Sequence, residues 1–229
     1  MASRMIFLPT DKIKSELFEE RLIDFEWVPG MAVSQGTRSV LNLHQSVLEQ
    51  QGISRILEIS TRSQTHLGIA LSAFNLPIEV DSKISTVEVA YQASKVFENG
   101  GPYSDLLQVN SLQAKTDARL KSSGNLVGYS QEGILWPLVD SPNFYDYLYI
   151  MALLNSSHKS EVASFEAFSD IAYSQNTELK KVKKSFNCQA RSAAIYVSLT
   201  RRMEEGKILS FLKDSAQIER DAAGQIELF

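Results

Sequence analysis

The chain contains a single cysteine, Cys188, so no intramolecular disulfide can form, and no Cys/Cys or Cys/His spacing marks a structural zinc site. Its longest apolar run, Tyr147 to Leu154, falls far short of the roughly 20 residues that span a bilayer. The opening Met1 to Thr10 lacks the long apolar core of a secretory leader. These absences predict a soluble protein of a reducing cytoplasm with no membrane partner. G-x-G-x-x-G, a Walker-type loop and G-x-S-x-G are all missing, which removes the common dinucleotide, triphosphate and hydrolase signatures. Positive charge is not in excess either: 23 Lys and Arg face 27 Asp and Glu, for a net charge of -4. Any contact with phosphates must therefore come from a local patch.

What is present is 229 residues with 44% hydrophobic content, enough to bury one large core. We expect one domain over 1–229, with a frayed tail from about 214. Short strands are expected at Met5 to Leu8, Phe25 to Val28 and Ile53 to Ser60, and a short helix at Lys12 to Phe18. Longer helices are expected at Ser39 to Gln50, at Thr86 to Glu98, at Leu112 to Lys121 and at Phe144 to Asn155. A last long helix runs from Cys188 to about Glu204, with Asn187 as its N-cap and Gly206 as its stop. The sum is a mainly α protein of the α+β class, without a regular alternation of strands and helices.

The 85–95 segment carries the most information. On a helix it aligns Glu88, Gln92 and Lys95 along one side, an acid, an amide and an amine. Ser85 and Glu88 also have capping-box spacing, which explains Glu88 without any chemistry. In the strand from Ile53 to Ser60, period-2 alternation puts Glu58 and Ser60 on one face, where they meet either a cavity or water.

Leu71-Ser72-Ala73-Phe74, then Thr86-Val87-Glu88 with Tyr91, Gln92 and Lys95, resembles the NADAR family, small helical proteins tied to NAD and ADP-ribose chemistry. Val89 stands where the general family has His. Four further stretches resemble the branch encoded beside DarT-type DNA ADP-ribosyltransferase toxins: Ile56 to Thr61, Lys95 to Tyr103, Trp136-Pro137-Leu138 with Phe144-Tyr145-Asp146, and Phe186 to Arg191. The resemblance spans about 25–202. It implies an antitoxin that hydrolyses ADP-ribose from the amino group of guanine in DNA, with ADP-ribosylated DNA as substrate, ADP-ribose as product, the cognate toxin as partner, and no cofactor.

That reaction cleaves an N-glycosidic bond. The resemblance makes Lys95, Glu88 and Asp146 the catalytic candidates: a desolvated Lys95 amine can attack the anomeric carbon, and Glu88 can orient or deprotonate it through Gln92 or a water. Asp146 either holds a ribose hydroxyl or water, or answers the positive end of its helix. Substrate-binding candidates are Glu58, Ser60, Ser72, Phe74, Asn75, Tyr91, Gln92, Trp136, Tyr145, Asn187, Gln189 and Arg191. Phe74, Trp136 and Tyr145 either stack on a base or fill the core. Asn187, Gln189 and Arg191 offer donors for diphosphate at a helix start. Lys180, Lys181, Lys183 and Lys184 either touch DNA phosphates or form a solvated face. His44, His66 and His158 receive no role, and Cys188 reads as a small buried residue. Two rivals stay open: an N-glycosidase on a phosphorylated riboflavin-pathway-like metabolite, and an antitoxin that acts by binding alone.

Overall fold

The computed structural model describes residues 1–11, 16–30, 32–138, 143–173 and 188–226, with side chains up to residue 216. In chain order the first elements are β1 (Ala2–Leu8), β2 (Glu19–Phe25), α1 (Val33–Gln51), β3 (Ile56–Glu58) and α2 (His66–Ala70). Then come β4 (Pro77–Val80), β5 (Lys83–Thr86), α3 (Val87–Ala93) and β6 (Lys95–Phe97). A 3-10 turn (Ser104–Gln108) leads to α4 (Ser111–Thr116), α5 (Arg119–Ser122), β7 (Leu126–Gln131) and β8 (Ile134–Trp136). The rest are α6 (Phe144–Leu154), α7 (Lys159–Val162), β9 (Ala167–Ser169), α8 (Gln189–Arg202) and α9 (Glu205–Ile226). Helix outweighs strand about two to one, 45% against 21%, so the chain is α+β with more strand than the expected few short pieces. No helix among the described residues is long and apolar enough to cross a membrane.

The elements fall into two compact units. One comprises Met1–Ser72 with Ser157–Met203, the other Ala73–Ser156 with Glu204–Phe229. The first is built on a mixed sheet in the order β2-β1-β9-β3, in which only β3 and β9 are parallel. In α1, Val40, Leu43 and Val47 recur at helical spacing and pack with Ile6, Leu8, Ile23 and Phe25 of β1 and β2. The helix stops at Gly52, whose left-handed φ of 70° and N–H to the Leu48 carbonyl make the C-cap. α8 packs on β1 and β9.

In the second unit, β4 and β5 form a hairpin that runs straight into α3, and β6, β7 and β8 form an antiparallel sheet. α6 is buried along almost its whole length and α9 packs against it. Tyr129 stacks on Phe144 at 5.0 Å between ring centroids, and Trp136 lies 5.3 Å from Phe144 and 4.6 Å from Tyr147.

Several boundaries differ from the sequence expectation. The helix expected from Thr86 to Glu98 stops at Ala93, because Lys95 to Phe97 pair with β7, where Val96 and Phe97 suit a pleated surface better than a helix. Its N-cap is Thr86, not Ser85: the Thr86 hydroxyl accepts the Val89 N–H, so Glu88 is released from the capping role. The second strand lies at Glu19–Phe25 instead of Phe25 to Val28. The helix at Leu112 to Lys121 is two short helices, and Gly206 stands in the first turn of α9 instead of ending a helix. The expected helix at Lys12 to Phe18 falls largely outside the described residues, as do Asn187 and the lysines at 180, 181, 183 and 184.

Candidate functional site

In the second unit α3 and β6 bring together Glu88, Tyr91, Gln92 and Lys95. Lys95 opens β6, in register with Tyr129, and its Nζ lies 4.8 Å from the centroid of the Tyr91 ring. Two backbone features fix its position. Ser94 closes α3 just before it and hands its carbonyl to the Ser130 N–H at 2.7 Å. On the other side Gly101, at φ 87°, lies so close that a Cβ there would collide with the Lys95 carbonyl oxygen. The Gly100-Gly101-Pro102 turn thus serves Lys95 through its backbone.

Lys95 is half-buried, and burial pushes its amine down to about 8, with the Glu88 charge opposing the shift and the Lys115 charge adding to it. About a quarter of such an amine is unprotonated at pH 7.5. Glu88 is buried, accepts the Gln92 Nε2 at 3.0 Å and lies 3.7 Å from the Lys115 Nζ. Lys115 in turn sits 4.8 Å over the Phe74 ring. Because Nε2 of Gln92 faces a carboxylate, its Oε1 must point elsewhere, and that atom is buried without a hydrogen-bond partner. A buried orphan acceptor costs about 1–3 kcal/mol, so Gln92 is set to receive a donor. Behind this group the Tyr91 and Tyr129 hydroxyls share a hydrogen bond of 2.8 Å, and the Tyr145 ring meets Tyr91 edge-on. Burial raises the Tyr129 phenol.

Other expected residues of this unit lie around that group or apart from it. Trp136 is buried in the aromatic cluster with Phe144 and Tyr147, while Asn75 is exposed. Asp146 forms a reciprocal cap with Asn143: the Asn143 N–H donates to Asp146 Oδ2 and the Asp146 N–H to Asn143 Oδ1, each at 3.0 Å. Its place at a helix start is thereby explained by local hydrogen bonding.

The first unit holds a second polar cluster. Glu58, at the end of β3 and paired with Ser169, is 2% exposed. Its carboxylate accepts from Ser60 Oγ at 2.6 Å, Ser169 Oγ at 2.5 Å and the Ile171 N–H at 2.9 Å. Burial nonetheless pushes its carboxyl up. The neighbouring Asp170 is pushed up to about 7, by burial first and by the Glu58 charge second. Two buried carboxylates of this kind do not both ionise readily, so the pair retains a proton near neutrality. Gln189 donates to Asp170 Oδ2 at 3.1 Å and to the Ile59 carbonyl, which ties α8 to this strand end. Gly68 packs so tightly on the Glu58 carbonyl and Ser63 that it has no room for a side chain. Ser72 and Arg191 are buried in the same unit. The Cys188 thiol is pushed up by burial and by Asp170, which suits a core residue and not a nucleophile.

Sequence reasoning passed over three residues: Lys115, Asp170 and His44. Asp170 follows an apolar strand as Glu58 does, and the same strand-end argument finds it. His44 Nε2 lies 3.0 Å from Ser169 Oγ, and burial lowers its imidazole to about 4, so it is neutral. Nothing local in sequence marks Lys115, because it meets Glu88 only through the packing of α4 on α3. No group of three or more His, Cys, Asp or Glu able to hold a metal occurs among the described residues.

A family model described as DarT1-associated NADAR antitoxin matches residues 2–221. A search of curated proteins returned no match.

Proposed function

Since the chain belongs to the family of DarT1-associated NADAR antitoxins, we propose that it is a DNA glycohydrolase that removes ADP-ribose from the guanine amino group, with Lys95 as nucleophile. The observation that carries this reading is the half-buried Lys95 amine, lowered to about 8 and held against Tyr91 beside Glu88. The unprotonated amine adds to the anomeric carbon as the bond to the guanine nitrogen breaks. The leaving nitrogen takes the electron pair and a proton, for which Glu88, relaying the proton lost by Lys95, is the carrier. Opening of the ribose ring then gives an imine to Lys95. Water adds to that imine, releases ADP-ribose and restores the amine. Lys115 supplies positive charge for the diphosphate, Phe74 a stacking face, and the orphan Oε1 of Gln92 an acceptor for a ribose hydroxyl or a guanine N–H.

The test is release of ADP-ribose from an ADP-ribosylated guanine oligonucleotide by catalytic amounts of protein. Wild type should turn over, Lys95→Ala should not, and Glu88→Gln should fall by about 100-fold or more. Borohydride should trap the wild type and leave Lys95→Ala unlabelled. No turnover by wild type overturns the reading in favour of a metabolite substrate or of protection by binding alone. Full activity of Lys95→Ala overturns the site.

A further inference from the structure

About 140–160° around α3 from Glu88, at about 100° per residue, Ala90 and Ala93 help line a cavity. It measures about 250 Å³, far more than the ~30 Å³ share of one water. Val80, Leu107 and Leu148 make its walls apolar. Its rim carries two carboxylates, Asp81 and Glu132, both exposed and each at a φ of 50°. They occupy the two-residue turns of the β4–β5 and β7–β8 hairpins, where both central residues have positive φ, the I′ geometry that brings a hairpin tip back on itself. None of the residues lining the cavity is Lys or Arg. Gln131, which also lines it, is 8% exposed, and its Oε1 has no hydrogen-bond partner.

An acidic rim repels phosphate, so this is no second place for ADP-ribose or DNA. It calls instead for a cation with an apolar stem and donors at its tip. The same two hairpins expose Ile84 at 82%, Ile134 at 41% and Leu135 at 54%, apolar surface that suits a protein partner and not a free small molecule. We propose that this cavity receives an arginine side chain presented by a protein partner, the DarT1-type toxin for which the family is described. Arginine fits better than lysine because its planar fork can reach Gln131 and a rim carboxylate together while its stem lies along Val80, Leu107 and Leu148. The choice of partner rests on the antitoxin reading; the chemistry of the cavity does not.

Amide shifts of labelled protein titrated with Nα-acetyl-arginine methylamide test the cavity. Residues 80–82 and 131–133 should respond saturably, at least about fivefold more tightly than to the norleucine analogue. The double variant Asp81→Asn/Glu132→Gln should weaken both this probe and the purified toxin about tenfold while ADP-ribose release stays unchanged. Gln131→Met should weaken both as well without lowering the urea midpoint, since it removes an unpaired acceptor. An equal response to norleucine, saturable shifts of the same amides with ADP-ribose, no binding of toxin by wild type, or toxin affinity unaltered by the variants overturns the proposal. Toxin binding without ADP-ribose release would leave the cavity standing and remove the glycohydrolase.

Discussion

Replacing Lys95 by Met should abolish activity and at the same time stabilise the protein at neutral pH. The amine falls from the ordinary 10.5 to about 8 because burial leaves its charged form poorly solvated. The sign follows from proton linkage: the folded state binds this proton less tightly than the unfolded chain, so stability from this group rises with pH between about 8 and 10.5. Below that window the folded protein holds a charge it disfavours, at roughly 3 kcal/mol at pH 7, falling to roughly 1 kcal/mol at pH 10. Methionine keeps the stem and the contact with the Tyr91 ring and drops the charge. Part of the gain is offset because Glu88 loses one of its two nearby cations, which leaves about 1–3 kcal/mol of net stabilisation at pH 7. Urea unfolding of wild type and Lys95→Met at pH 7 and pH 10 measures it. A variant less stable than wild type at pH 7, or a difference that does not shrink by pH 10, refutes the idea that Lys95 is held against desolvation.

Three further outcomes follow from other contacts. Lys115→Met removes a cation that depresses the Lys95 amine, so the rising limb of the pH–rate profile should move to higher pH, whereas Lys121→Met should leave it in place. Gly101→Ala forces a side chain onto the Lys95 carbonyl at a φ of 87°; unfolding should show a loss of about 2 kcal/mol or more, with activity falling in step. Asp170 has a raised carboxyl, so its contribution to stability is fully present below about 4 and lost as pH rises through about 7. The stability of wild type relative to Asp170→Asn should therefore decline from pH 4 to pH 7, and a flat difference would show that the carboxyl titrates normally.

How much of this was legible in the sequence depends on the range of the forces involved. α6 and α1 from Ser39 onward were readable because their signals are local: Val40, Leu43 and Val47 before Gly52, and an apolar run after Asn143; the first six residues of α1, from Val33, carry no such stripe and were missed. Both hairpins of the second unit were missed. Their I′ turns use Asp81-Ser82 and Glu132-Gly133 where Asn-Gly or Asp-Gly would have signalled them, and only the surrounding pairings hold Asp81, Ser82 and Glu132 at positive φ. The strand at Glu19–Phe25 was missed because charge falls on both of its faces: Glu20 and Asp24 share the exposed face with Leu22, while Glu19 and Arg21 precede Ile23 and Phe25 on the face toward the core, upstream of the Pro29-Gly30 stop that drew attention. Of the expected site, Glu88, Gln92, Tyr91 and Lys95 meet in the second unit, and Glu58, Ser60 and Gln189 gather near Asp170 in the first. Lys115 was beyond reach, because its contact with Glu88 spans 27 positions and depends on two helices packing.

Ending α3 at Ala93 changes what Lys95 can do. Carried on to Glu98, the helix would have set Lys95 one turn beyond Gln92, on a stem able to swing its charge into solvent and keep an ordinary pKa. As the first residue of β6 its backbone is held by the Tyr129 pairing, by the Ser94 carbonyl bonded to Ser130, and by Gly101 against its own carbonyl. The side chain then lies over the Tyr91 ring, where the protonated form is disfavoured. The same break frees Glu88: with Thr86 as cap, the carboxylate is left to hold Gln92 and Lys115. Neither the acid nor the amine gains its chemistry from helical spacing. Both depend on a helix that stops two residues before the lysine, and that stop is set by strand pairing from a segment more than 30 residues later in the chain.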